Sequence, residues 1–299
     1  MSQSNMMRLV IGDDSSVTDA IAANGILLNV MGCDLGATEV FGTDTGSRGT
    51  RQRYDCGARK LGESVAGGFT IQPTKTQLDW LIKRFIGDNT SSFPAGAATP
   101  QETLTNLVAY VDKVSDIYKF TRLRFQSMRF TATEGDYLKV RCDFVGSREY
   151  GGQTWPAGVP IPTSFDCATE YVASDIAIAV AATNYPFKSL NWGISNNVAP
   201  QQENSLYPLV FEVGELEVSA GGTFNVRSDT IALYKRGVTG DAVSIVLADG
   251  TTTYTFSFAN AKIPANNNIA IPEEGTITMD LAMQIFRTSG SHSISITKA

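Results

Sequence analysis

Acid–base chemistry is suggested most directly by Asp44, which begins the tetrapeptide Asp-Thr-Gly-Ser. This is the short signature of aspartic proteases, in which two such aspartates share one proton. The matching loop of the second half of the chain carries Asn196 and Asn197 instead of a second aspartate. The neighbours of Asp44 are polar or glycine, whereas a protease site needs apolar flanking strands. We therefore interpret the motif as part of a polar loop, and predict no catalytic residue and no enzyme.

Phosphate binding is the next chemistry to consider, because Arg48, Arg51 and Arg53 form a local basic stretch. The chain as a whole has a net charge of −6, and few aromatic residues lie nearby. We therefore expect a solvated loop or an ion-pair partner for an acidic neighbouring subunit. The two Gly-Gly pairs of the chain lack the following Lys-Ser/Thr of a phosphate-binding loop.

Metal and cofactor chemistry has little support in the residue types. His292 is the single histidine, and the cysteines at 33, 56, 142 and 167 have no Cys-x-x-Cys spacing. Cys142 lies in an alternating strand and is predicted to be a buried free thiol. We expect no cofactor and no metal. The sequence also predicts no signal peptide, no membrane span and synthesis in a reducing cytoplasm.

An internal repeat organises the chain around these residues. Ala-Gly-Gly occurs at Ala66 and again at Ala220, a spacing of 220 − 66 = 154 residues. An acidic, alternating run precedes each copy, at 60–65 and at 213–218. A repeat of this length corresponds to one ordinary domain, so the pattern predicts a tandem duplication. Two equivalent units suit ring building better than a single catalytic cleft.

A short helix is predicted in each half. In the first half, Thr74 and Gln77 form a capping box, and Gly87 ends the helix. Its apolar stripe consists of Leu78, Leu81, Ile82 and Phe85. In the second half, Ser228 begins a shorter copy that ends at Gly237.

Alternating strands dominate the remainder, most clearly at 137–144 and 276–285. Polar loops are predicted at 34–50 and 195–205, and the segment 173–182 fits either a strand or a helix. The fold class is therefore mainly β: two β-sandwiches, each flanked by a short α-helix. The predicted parts are an N-terminal arm (1–24), a first domain (25–150), a linker (151–186), a second domain (187–288) and a C-terminal tail (289–299).

A wider pattern combines the acidic strands, the helix sequence from Thr74 to Gly87, the Asp-Phe-Val-Gly that ends at Gly146 and the run Leu190–Pro200. In order and length these segments resemble the major tail tube proteins of long-tailed, non-contractile bacteriophages over most of residues 25–288. The resemblance implies β-sandwiches whose inner sheets join around a ring, and rings that stack into a hollow tube. A doubled chain would form a trimer with pseudo-sixfold symmetry.

The resemblance also implies partners and a location. The chain would contact further copies of itself, a tape measure protein inside the tube, and tail terminator and distal tail proteins at the tube ends. DNA would pass through only in transit, and no membrane would be involved. The protein would be a virion component that is assembled in the host cytoplasm.

Two sets of residues are predicted to serve the tube. The lumen-facing set is Glu63, Glu215 and Glu217, whose negative charge would keep DNA from adhering. The ring-stacking set, helped by the N-terminal arm, is Asp44, Arg48, Arg51, Asn196 and Asn197.

A tandem β-sandwich binding module, such as an adhesin or a carbohydrate-binding virion protein, is the alternative. It would favour aromatic side chains on an exposed sheet face. The three tryptophans, Trp80, Trp155 and Trp192, are instead scattered over different predicted elements.

Overall fold

A computed structural model describes most of the chain, and it is mainly antiparallel β-structure. The described residues are 7–14, 25–43, 58–88, 93, 96–113, 116–156, 170–228, 230–233, 237–264, 268–270, 276–288 and 292–299.

Two sets of strands follow one another along the chain. The first set contains β1 (Arg8–Asp13), β2 (Ile26–Leu28), β3 (Val30–Cys33), β4 (Gly36–Thr43), β5 (Ala58–Ile71), helix α1 (Lys75–Phe85), β6 (Leu107–Asp112), β7 (Ile117–Thr133), β8 (Lys139–Gly146) and β9 (Arg148–Tyr150). The second set contains β10 (Ile176–Val180), β11 (Thr183–Tyr185), β12 (Ser189–Ser195), β13 (Ala199–Gln201), β14 (Val210–Glu212), β15 (Glu217–Asn225), β16 (Gly237–Ala248), β17 (Thr253–Ile263), β18 (Asn268–Ala270), β19 (Thr278–Ile285) and β20 (Ile294–Lys298).

The first set forms two layers that share one long strand. The outer layer has the order β2–β1–β6–β7–β9, and the inner layer has the order β4–β5–β8–β7 with β3 also on β5. Strand β7 passes from one layer to the other near Arg122, whose φ of 51° marks a local irregularity. The apolar side chains between the layers form the core.

The second set repeats this pairing order. Its outer layer is β11–β10–β16–β17–β20, and its inner layer is β12–β15–β19 followed by β17 and β18. Strand β10 therefore corresponds to β1, β15 to β5, and β19 to β8. A tandem duplication would produce this order, and it remains our prediction.

The two Ala-Gly-Gly segments lie on corresponding strands, but their registers differ by one residue. Ala66 pairs with Val145 and is exposed, whereas Ala220 pairs with Met283 and is buried. A shift of one residue turns a side chain to the opposite face of a sheet. The 154-residue spacing of the sequence repeat is therefore not the structural spacing of the strands.

Helix α1 confirms the predicted capping box. The Thr74 amide donates to Oε1 of Gln77 at 3.2 Å, and the helix ends before Gly87, which has a φ of 87°. The predicted stripe is buried in the core. Lys83 and Arg84, in the last turn where cations complement the helix dipole, are buried as well.

The predicted helix of the second half is wrong. A single 3-10 turn at Thr230–Leu233 takes its place, and Gly237 belongs to β16. The hydroxyl of Thr230 accepts from the Arg227 amide at 2.7 Å and holds this turn. No apolar stripe comparable to that of α1 follows Ser228 in the sequence, so packing gives little support to an α-helix at 230–233.

Several strands lie where the sequence analysis placed irregular segments. Strand β1 falls in the predicted arm, β4 in the predicted loop 34–50, β10 and β11 in the predicted linker, and β20 in the predicted tail. The ambiguous segment 173–182 is a 3-10 turn followed by β10. All of these strands are short or rich in Gly and Thr, and distant partners stabilise them. The predicted alternating strands are confirmed as β8 and β19, and the Cys142 thiol is buried, which raises its pKa.

Candidate subunit interface and the face of the joined sheet

Strands β7 and β12 join the two sets edge to edge. They pair antiparallel over seven residues, from Ser189 opposite Thr133 to Ser195 opposite Ser127. Because β7 also pairs with β8 and β12 with β15, the two inner layers become one sheet. We call this pairing the internal junction.

The hydrophobic core is continuous across the internal junction. The ring of Phe130 stacks on that of Trp192 with centroids 4.8 Å apart and an interplanar angle of 1°. Both rings also contact Phe256 edge-on, at 5.2 and 5.7 Å. Such aromatic contacts stabilise a fold by more than the apolar area that they bury. The two halves therefore share one core and are not independent domains joined by a linker.

A buried amide secures the end of the internal junction. Nδ2 of Asn196 donates to the backbone carbonyls of Phe85, at the end of α1, and Phe125, on β7, at 3.3 and 3.2 Å. Oε1 of Gln126 accepts from the Val198 amide at 2.9 Å. These side chains therefore lock the start of the β13–β14 hairpin onto the first half.

The β13–β14 hairpin itself lies over the first half. The Glu63 amide of β5 donates to the Leu206 carbonyl at 2.8 Å. This hydrogen bond lies just past Val65, where the pairing of β5 with β8 ends. The ring of Tyr207 lies 4.5 Å from the guanidinium of Arg148 and 5.7 Å from the ammonium of Lys60. The contact between the β13–β14 hairpin and the first half therefore combines strand pairing, a buried amide and cation–π contacts, as an interface between two proteins would.

The outward face of the joined sheet is a trough of about 1220 Å³ across β8, β7, β12, β15 and β19. Arg129, Asp143 and Glu217 line it. Arg141 on β8 bridges Asp143 and Asp34, each at 2.7 Å. Burial raises the pKa of the Asp34 carboxyl, but hydrogen bonds from Arg141 and from a β5 amide together lower it below its usual value. The lining of the trough is mixed: ion-paired and exposed acidic groups lie beside apolar side chains that include Leu216, Ile285 and Phe286.

The predicted lumen residues fall in two different environments. Glu215 and Glu217 are exposed at the trough. Glu63 is 5% exposed, because it shares the inward side of β5 with the core residues. Its carboxylate accepts from Lys60, which also donates to Glu39, and these hydrogen bonds raise the pKa of the Lys60 ammonium.

The predicted stacking residues are only partly described. Asn196 is buried at the internal junction, and Nδ2 of Asn197 donates to the Glu215 carbonyl at 2.8 Å. Both amides therefore serve contacts within the chain. The remaining members lie outside the described residues: Asp44, Arg48 and Arg51.

Sequence reasoning missed Gln126, Arg148 and Tyr207, which complete the internal junction. No local pattern marks them, because their partners are distant; Gln126 and Val198, for example, are 72 residues apart. Two of the tryptophans, Trp80 and Trp192, are buried, so they provide no exposed platform for the alternative binding module.

Across the described part of the chain, no helix combines the length and the apolar character needed to cross a bilayer. No curated protein sequence matches the chain. A family model described as "Phage tail tube protein" matches residues 11–285, from β1 to the end of β19. The chain therefore belongs to the phage tail tube protein family and is a structural component of the phage particle.

Proposed function

We propose that three copies of this chain close into a ring with apparent sixfold symmetry, and that stacked rings form the tube through which DNA is ejected. The internal junction is the observation that supports this proposal. It joins two sandwiches edge to edge, as neighbouring copies in a ring must be joined. Each chain would supply two of six units, covering about residues 8–150 and 176–298, as a tandem duplication requires.

The two ends of the joined sheet support ring closure. Within the described residues, the outer edges of β3 and β4 have no strand partner, and neither does the outer edge of β18. These edges correspond to β12 and to the end of β7, which pair inside the chain. Antiparallel pairing of β3 and β4 with β18 of the next copy would protect both edges, which are otherwise prone to uncontrolled association.

The role that we propose is structural and not enzymatic. Contacts between copies would build the ring and the stack, a tape measure protein would occupy the lumen, and tail terminator and distal tail proteins would bind the tube ends. DNA would contact the protein only in transit, no membrane would take part, and assembly would occur in the host cytoplasm. We further propose that the ring-stacking contacts include the segment around Asp44, Arg48 and Arg51.

Solution mass and negative-stain electron microscopy test the proposed function. We expect the purified chain to form trimers, and to form rings or hollow tubes with sixfold appearance as the concentration rises. A chain that stays monomeric when it is concentrated and seeded would contradict the proposal. It would instead favour the binding-module alternative, for which a glycan screen is the next measurement.

We also propose that the trough faces the lumen and that Glu215 and Glu217 repel the DNA backbone there. Glu63 would contribute little free charge, because it is buried against Lys60. Replacing both exposed glutamates by glutamine (E215Q with E217Q) should slow DNA ejection from assembled phage and leave tube assembly intact. The matched control removes two exposed charges elsewhere (E102Q with E203Q). Equal ejection rates for the two double variants would contradict the lumen assignment.

A further inference from the structure

A contact that is made at the internal junction has no counterpart among the described residues at the opposite end of the joined sheet. Val198 follows β12 and is 4% exposed, because it is held against the first half. Phe41 occupies the matching place on β4, the strand that pairs with β5 as β12 pairs with β15. Phe41 is 59% exposed. The position is therefore buried in the second half, at Val198, and exposed in the first half, at Phe41.

The receiving side shows the same asymmetry. In the first half, the segment that follows β8 is covered by the β13–β14 hairpin, where Tyr207 contacts Arg148. In the second half, the corresponding segment follows β19 and begins with Phe286, which is 42% exposed. The described contact of its ring is with the Lys262 ammonium, at 5.1 Å. Within the described parts of the chain, Phe286 therefore keeps an exposed apolar surface.

We propose that the β4–β5 hairpin of one copy covers the surface around Phe286 in a second copy, as the β13–β14 hairpin covers the first half within each chain. On this hairpin we place Phe41 in the contact; Val40 and Leu61 of the same hairpin are exposed as well. The receiving surface consists of the exposed Phe286 and the partly buried Leu216 and Ile285, three residues that also line the trough. The inference rests on the proposed ring and specifies which surfaces meet at each junction between copies.

A second copy is the occupant that the structure favours. The internal junction already shows how this kind of hairpin and this kind of surface fit together, so the contact between copies would continue an existing interface. Each surface exposes a phenylalanine, and large apolar side chains exposed on a surface commonly mark protein–protein contacts. The occupant is therefore the β4–β5 hairpin, and neither a small ligand nor nucleic acid is required.

Photocrosslinking in assembled tubes tests this pairing. Phe41 is replaced by p-benzoylphenylalanine, and unlabelled and ¹⁵N-labelled chains are mixed so that crosslinks between copies can be recognised by mass. We expect Phe41 to crosslink to the tryptic peptide 263–287 of another copy, and fragment spectra to locate the crosslink at Ile285 or Phe286. A crosslink at β18 (Asn268–Ala270) of the same peptide would report only the strand pairing of the proposed ring. The photoreactive residue at Tyr137, which is exposed in the first half away from the hairpin, is the control and should not reach that peptide.

Assembly measurements provide the second test. F41S and F286S should each raise the concentration needed for ring formation by about tenfold or more, since each removes one buried aromatic contact. Circular dichroism should be unchanged, because both rings are exposed in the single chain. The control, Y137S, should leave the assembly concentration unchanged.

The outcomes separate this inference from the proposed function. Wild-type tubes that form normally but crosslink Phe41 to a different region would overturn the hairpin pairing and leave the ring intact. Unchanged assembly of both F41S and F286S would do the same. A wild-type chain that never assembles would overturn the proposed function, and this inference with it.

Discussion

Replacing Arg84 by alanine should destabilise the folded chain by about 3–5 kcal/mol, because it removes one partner of a buried ion pair. The Arg84 side chain is 2% exposed, and its Nε and Nη2 atoms donate to the two carboxylate oxygens of Asp13 at 2.6 and 2.7 Å. Nη1 also donates to the Asp88 carbonyl at 2.6 Å. The variant would leave the Asp13 carboxylate in a largely buried site without this bidentate partner, and would release α1 from the end of β1.

Urea unfolding followed by tryptophan fluorescence measures this loss. The control is Lys139→Ala, which removes an exposed pair with Asp136 and should cost less than about 1 kcal/mol. Replacing both members of the buried pair by apolar residues (Arg84→Met with Asp13→Leu) should recover much of the stability, since no charge is then left unpaired. An Arg84→Ala variant as stable as the control would show that the pair does not hold α1 and β1 together.

Replacing Gly68 by alanine should cost about 3 kcal/mol, because a Cβ atom at this position would collide with backbone and not with a movable side chain. The added atom would lie 1.9 Å from the Cys142 carbonyl oxygen and 2.8 Å from Cα of Asp143. Strands β5 and β8 would have to separate at the centre of the inner layer.

Thermal unfolding of three glycine variants checks this expectation. At Gly221, in the corresponding segment of the second half, the nearest atom would be 2.8 Å away, so Gly221→Ala should cost less than Gly68→Ala. At Gly96 nothing lies within 4 Å, and Gly96→Ala should be nearly neutral. A different order of unfolding temperatures would contradict the close approach of β5 and β8.

Local patterns predicted the elements whose stability is encoded locally. The capping box at Thr74 and Gln77, the apolar stripe of α1 and the alternation of β8 and β19 all depend on residues close in sequence, and the structure confirms them. The turn that joins β16 and β17 is also local: it contains Asp249 and Gly250, and Gly250 has a φ of 82°.

The missed elements depend on partners that are far away in sequence. Strand β1 is stabilised by pairing with β6, about a hundred residues later, and β10 by pairing with β16. Strands of five or six residues carry too little alternation to be distinguished from loops before their partners are known. For the same reason, the sequence predicts Asn196 in a surface loop. Its side-chain amide is instead buried and donates to two backbone carbonyls that are distant in sequence.

The repeat was also misleading in one respect. The matched Ala-Gly-Gly segments suggested that Glu63 and Glu217 occupy equivalent places. The one-residue difference in register turns Glu63 toward the interior and leaves Glu217 at the trough. Sequence identity located the repeated strand but could not determine which face each side chain occupies.

The internal junction has a consequence for the kinetics of assembly. Because β7 and β12 belong to one polypeptide, their pairing occurs at an effective concentration set by the connecting chain and does not depend on dilution. A six-unit ring would then contain three junctions between chains instead of six. It would form in two association steps instead of five, and would lose correspondingly less translational and rotational entropy. Dilution would separate such a ring only at every second junction. The smallest species released would be a single chain, which is a pair of units whose internal junction stays intact and desolvated.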